Sequence, residues 1–242
     1  MNVTGKQTLV MKDYPSGNWR ERGGVTPTLV IIHYTAMTCE AALARLCGTG
    51  DKGGQGGRVS SHYVIDEDGT TYRLVDESRC AFHAGEACWR GQRDINERSI
   101  GIELVHEGHR HDGGIDPYAE AQMGALESLC LEVMARAGMR ASDVWGHSDI
   151  APHRKQDPGE TLPWQRLARK GIGIWADADE RHVGGASEAQ ARDALRAIGY
   201  GVDVYPFADV VVAFQRHFRP SRVDGVVDAS SLALMRAIAD AL

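Results

Sequence analysis

The chain has 242 residues, of which 43% are hydrophobic and 25% charged, the proportions of a folded globular protein rather than a disordered one. A formal net charge of −6 argues against non-specific nucleic-acid binding, which needs a basic surface, and leaves a neutral glycan open as a partner. No apolar run approaches the roughly 18 residues needed to cross a bilayer, and the first residues lack the basic-then-apolar layout of a secretory leader.

Thr28–Tyr34 (TLVIIHY) is a β-branched apolar run and predicts a buried strand. Thr38 is placed to cap a short helix reaching Cys47. The glycine-dense stretch Gly48–Gly57 predicts a loop, and without a G-K-[ST] ending it predicts no nucleotide. Ser61–Ile65 and Thr70–Val75 flank Asp66-Glu67-Asp68-Gly69 as a β-hairpin does. Ser99–Val105 (SIGIELV) predicts another strand, with Ile100, Ile102 and Leu104 on one face and Gly101, Glu103 and Val105 on the other. Asp116-Pro117 predicts the opening of a long helix that Gly138 ends; Met123, Leu126, Cys130 and Val133 recur on its inner face. Val144–His147 predicts a strand stopping in a loop, and Pro163–Lys170 a closing helix. The alternation implies an α/β domain over residues 1–175, a mixed central sheet flanked by helices. Residues 176–186 are polar and glycine-containing and predict a linker. Residues 187–242 then hold three amphipathic segments, Ser187–Ile198, Phe207–Phe218 and Ser230–Leu242, which predict a small three-helix bundle.

Five cysteines cannot all pair within one chain, and no C-x-x-C occurs, so packed free thiols are expected. Cys80 and Cys88 are close enough in sequence to pair, but spacing alone does not decide it. Among ten histidines, His33 ends the TLVIIH strand and His147 follows a strand in WGHSDIAP, while Asp157 sits in the turn RKQDPG. Two imidazoles and a carboxylate are a ligand set for Zn²⁺ that leaves a fourth position open. The three are far apart in sequence, so residue types alone favour a hydrogen-bonded structural role for each over a shared metal. His106, His109 and His111 form a local cluster, either a second metal site or an exposed loop.

The segments VIIHYTA, SSHYVIDEDGT, AFHAGE, ERSIGIELV, WGHSDIAP and RKQDPG occur in one order. In that order they resemble the zinc-dependent N-acetylmuramoyl-L-alanine amidases, relatives of the amidase-type phage lysozymes and of the animal peptidoglycan-recognition proteins. The resemblance covers roughly residues 15–175. It implies one zinc ion held by His33, His147 and Asp157, Glu103 as general base on the attacking water, and Lys155 as the cation that steadies the oxyanion. It places His62 where phage relatives carry an active-site tyrosine, and His83 on the substrate cleft, each either a substrate contact or a structural residue; His153 receives no role. LRAIGYGVD, VVAFQRHFRP and VDGVVDASSLALM resemble the three-helix peptidoglycan-binding domain, with Phe214-Gln215-Arg216 and Asp224-Gly225 carrying the match. The implied reaction is hydrolysis of the amide between N-acetylmuramic acid and L-alanine in peptidoglycan or muropeptides. The alternative is a non-catalytic recognition protein of the same fold; such proteins generally lose a zinc ligand, and Asp157 is intact. An anchoring module suits polymeric murein in the cell envelope, the expected location, with the cytoplasm next. The sequence is silent on oligomeric state.

Overall fold

The computed structural model describes residues 9–48, 58–177 and 187–242. The predicted loop is described only at Gly48 and the predicted linker only at residues 176–177; the rest of each lies outside the described residues. Among the described residues there are eight strands: β1 Met11–Asp13, β2 Trp19–Glu21, β3 Leu29–Tyr34, β4 Tyr63–Ile65, β5 Thr71–Arg73, β6 Arg79–Ala81, β7 Ser99–Leu104 and β8 Val144–Gly146. Six of them form one sheet in the order β1-β5-β4-β7-β3-β8, and β2 pairs with β6 in a small second sheet. At the centre β3 lies parallel to both β7 and β8, and β7 parallel to β4. The hairpin is present as antiparallel β4 and β5, and Gly69 at its turn has φ +86°.

The helices are α1 Cys39–Cys47, α2 Ile95–Arg98, α3 Glu120–Ala137, α4 His147–Ile150, α5 Trp164–Ala168, α6 Glu188–Ile198, α7 Phe207–Phe218 and α8 Ala229–Asp240. Thr38 caps α1, its side chain accepting from the amide of Ala41. Gly138 ends α3 at φ +66°. The start of α3 differs from expectation: it lies at Glu120, beyond Asp116-Pro117. Asp116 is spent elsewhere, its carboxylate on Arg110 and its carbonyl on His106 and Thr161. His147, expected at the end of a strand that stops in a loop, is instead the first residue of α4. No helix among the described residues is long and apolar enough to cross a membrane.

Strand alternation divides the core in two. Val30 and Ile32 of β3, with Ile100, Ile102 and Leu104 of β7, pack against Met123, Leu126, Leu129, Cys130 and Val133 of α3. The side-chain amide of Gln122 ties that helix to the sheet, donating at 2.9 Å to the carbonyls of both Ile65 and Val105. On the other face Leu29, Ile31 and Trp145 share one cluster with Leu195 and Ile198 of α6, Val210 and Phe214 of α7, and Met235 and Ile238 of α8. Each large side chain so buried contributes about 1.5–3 kcal/mol. The C-terminal helices therefore complete the core of the sheet. Gln215 closes the turn between α7 and α8: its side-chain oxygen accepts from the amides of Asp224 and Gly225, and its nitrogen donates to Asp224 and to the carbonyl of Val226. The Phe-Gln-Arg string and the Asp-Gly turn are thus two halves of one hydrogen-bonded device. All five cysteines are free, Cys80 and Cys88 included.

Candidate active site

The site lies at the carboxyl ends of the central parallel strands. His33 is the next-to-last residue of β3, and its register partner on β7 is Glu103. His147 follows β8 directly. Asp157 comes in from the following turn, where its carbonyl accepts from the Ser148 amide at 2.8 Å. Rigid strand ends hold the side chains while the loops beyond leave one side open. The resulting cleft, of about 160 Å³, is lined by His33, His147, Asp157, Glu103 and Lys155 at its floor, and by residues such as Tyr34, Arg45 and His83 on its walls.

His33 Nδ1, His147 Nδ1 and Asp157 Oδ2 form a triangle with edges of 2.9, 2.9 and 3.1 Å. All three residues are buried, and they are the only group of this kind among the described residues. Tetrahedral ligands at bond lengths near 2.1 Å stand about 3.4 Å apart, so the triangle, with edges a few tenths of an ångström shorter, is close to the size of a metal-binding face. Its chemistry fits as well, since two bare imidazole nitrogens 2.9 Å apart repel unless a cation lies among them. Burial, then the neighbouring His147, lowers His33 to about 4, so the ring is neutral near pH 7. Burial alone would raise Asp157, but the charge and hydrogen bond of His147, joined by His33, hold its carboxyl well below the usual range.

Glu103 opens partly on the cleft, yet its Oε2 is buried with no partner among the described residues. Desolvation, reinforced by the charge of Asp157, pushes its pKa well above the ordinary value, as a proton acceptor working near neutrality requires. Lys155 lines the same cleft and makes no ion pair among the described residues. His83 lines the cleft too, but its ring nitrogens are engaged by His33 Nε2 at 2.9 Å and Ser99 Oγ at 3.1 Å. The expectation that His62 touches substrate is not met. Its ring is fully buried away from the cleft, with Nδ1 accepting from the Gly101 amide and Nε2 facing the Arg79 carbonyl and the Arg22 guanidinium. His153 stacks on Tyr205, ring centres 4.6 Å apart, at the junction with the C-terminal helices. His106, His109 and His111 do not converge as a metal site: His106 bonds to the Gly108 amide and the Asp116 carbonyl, and His109 lies between Tyr34 and Glu160.

Several supporting residues carry no local signal in the sequence. Asn96 Oδ1 accepts from the amides of both His83 and Ala84. Asp149, two residues past His147, is held by Tyr200 and His217 from the C-terminal segment. Arg216 of α7 bonds to Glu160, Glu160 to His109, and His109 to Tyr34 on the cleft wall. All are long-range contacts that only the fold assembles.

Three donors that could hold a metal ion, beside a desolvated carboxyl and a lysine at the carboxyl edge of a largely parallel sheet, are an arrangement suited to a water-activating hydrolase. The chain belongs to the N-acetylmuramoyl-L-alanine amidase family, whose sequence model matches residues 23–160. It is 36% identical to the N-acetylmuramoyl-L-alanine amidase AmiD of Escherichia coli over 97% of this chain and 91% of that relative. The structure of E. coli AmiD with anhydro-N-acetylmuramic acid-L-Ala-D-γ-Glu-L-Lys superposes with a TM-score of 0.79 at 34% identity, covering 92% of this chain and 90% of that one. AmpDh3 of Pseudomonas aeruginosa in complex with anhydromuramic pentapeptide also superposes with a TM-score of 0.79, at 30% identity over 100% of this chain and 98% of that one.

Proposed function

We propose that this enzyme uses one zinc ion, held by His33, His147 and Asp157, to hydrolyse the amide joining N-acetylmuramic acid to L-alanine. The triangle of donor atoms, with Glu103 in register beside His33, carries the reading. Zinc in that position would polarise the scissile carbonyl and make water acidic enough to attack near neutral pH. Glu103 accepts a proton from the attacking water and passes it to the leaving amine of L-alanine. Its partnerless, desolvated carboxylate is suited to both transfers. Lys155 places a fixed cation where the carbonyl oxygen gains charge, so it acts mainly on the transition state. The test is release of stem peptide from purified muropeptides. Chelator-treated protein should release none, and added zinc should restore release; undiminished release without metal would overturn the assignment.

We read the C-terminal helices as an anchor for polymeric peptidoglycan, which favours the cell envelope as the place of action. Support comes from the resemblance of the Gln215-centred turn to the peptidoglycan-binding module. Co-sedimentation with intact sacculi tests it: retention on sacculi that free muropeptide does not compete off is the expected result, and absence of retention would remove the anchor. Comparing turnover of sacculi with that of soluble anhydro-muropeptides then assigns the substrate form.

A further inference from the structure

We propose that the His83–Ala84 segment, pinned by Asn96, sets the ring tautomer of both metal histidines, with His83 as a positioning residue for His33. This rests on the reading of His33 and His147 as ligands.

A neutral imidazole carries one N–H, and only the bare nitrogen can bind a metal. Each ring turns Nδ1 towards Asp157, whose carboxylate draws the hydrogen to that nitrogen, so to ligate a metal each ring must be held with its hydrogen on Nε2 instead. Hydrogen-bond partners decide whether it does. Ser99 Oγ lies 2.6 Å from the Ile95 carbonyl, an acceptor, so the single hydroxyl hydrogen points there. The same Oγ lies 3.1 Å from His83 Nε2 and can then only accept from it. His83 therefore carries its hydrogen on Nε2 and leaves Nδ1 bare. That bare nitrogen is 2.9 Å from His33 Nε2, which makes a hydrogen bond only if His33 donates. The hydrogen of His33 is drawn to Nε2, and Nδ1 is left for the metal.

A second branch acts on the other ring. His147 Nε2 lies 3.1 Å from the carbonyl of Ala84, which can only accept. His83 and Ala84 are adjacent, and their two amides donate to the same Asn96 oxygen at 3.0 and 2.8 Å. One amide side chain thus fixes the segment that presents both acceptors. Strand β7 makes room for it: a Cβ on Gly101 would stand 2.5 Å from the His83 ring. Partners of this kind on the far nitrogen of a ligand histidine are worth about 10- to 100-fold in metal affinity.

Zinc affinity, read by competition with a chromogenic chelator, and histidine nitrogen NMR of the metal-free and cadmium-loaded proteins test the proposal. His83→Leu should weaken zinc binding by about 10- to 100-fold. His83→Asn, whose amide oxygen replaces the accepting Nδ1, should recover most of that loss. Ser99→Ala, a milder change, should give metal-free His33 in two tautomers where the wild type shows one. Unchanged affinity in His83→Leu, equal loss in the Leu and Asn variants, or a single His33 tautomer in Ser99→Ala would each overturn the proposal. If the wild-type protein shows no cadmium coupling to Nδ1 of either ring, the ligand reading itself fails and this proposal falls with it.

Discussion

His217, in the last turn of α7, sets its Nδ1 2.8 Å from Asp149 Oδ2, and so joins the C-terminal helices to the short helix that begins with His147, one of the three candidate metal ligands. The other carboxylate oxygen accepts from Tyr200, and Oδ2 also accepts from the amide of Gly146. The carboxylate is buried, and its bonds to Tyr200 and His217 are made across the shared core, while the Gly146 bond is local to α4. Removing the Tyr200 hydroxyl leaves a charged acceptor short of one donor. Tyr200→Phe should lower unfolding stability by about 1.5–3 kcal/mol. It should also weaken zinc binding, because α4 loses a brace; urea unfolding and chelator competition read the two effects. A variant destabilised with unchanged zinc affinity would show that the clamp serves the core alone.

Glu103→Gln should remove nearly all hydrolysis, by about 10²- to 10⁴-fold in kcat, while zinc remains bound. The same change should stabilise the metal-free fold. Because the Glu103 pKa is raised on folding, the native state holds the extra proton between the ordinary carboxyl value of about 4.3 and its own higher value. Stability is therefore lost as pH rises through that window, and glutamine does not suffer the loss. Thermal unfolding of the chelator-treated pair from pH 4 upwards should show the variant's advantage growing with pH.

His62 gives the opposite slope. Burial, then the charge of Arg22, lowers it to about 3, against about 6.5 in the unfolded chain. Between those values the unfolded chain binds the extra proton, so stability is complete above about pH 6.5 and falls as pH drops, by up to about 1.4 kcal/mol per pH unit. His62→Asn should flatten the acid limb by that amount relative to the wild type. Parallel limbs for the two proteins would mean that the ring is not kept neutral.

Arg216→Met tests the relay to the cleft wall. Burial alone would raise Glu160, but its hydrogen bond to His109, joined by the Arg216 charge, holds it down to about 2. Without Arg216 the carboxylate keeps His109 as its side-chain partner among the described residues, itself bonded to Tyr34 at 3.0 Å. A stability loss of about 1.5–3 kcal/mol is expected, with a fall in kcat/KM because Tyr34 adjoins His33. An unchanged kcat/KM would confine the relay to stability.

Much of the site was legible because its residues end apolar runs. His33 closes LVIIHY and His147 follows VWG, and the period-two alternation of β7 sets Glu103 on the face opposite the α3 core. The β4–β5 turn and the C-cap of α3 were readable because only glycine suits their backbone. The residues behind the ligands were not readable. His83, Asn96 and Ser99 act through contacts across the fold, and His62 shares the residue type of a substrate contact while its burial decides otherwise. Asp116-Pro117 is a sound helix opening locally, but Arg110, His106 and Thr161 claim Asp116 first.

The cluster that joins Trp145 to Leu195, Phe214 and Met235 bears on protein engineering. Cell-wall hydrolases invite cassette exchange, in which one targeting segment is cut away and another grafted in its place. In this enzyme such a cut would strip the inner face of the sheet beneath the catalytic loops and leave it wet. Retargeting would have to add a new binder outside these three helices, or recolour the exposed surface of α6 and α8, and keep the helices where they are.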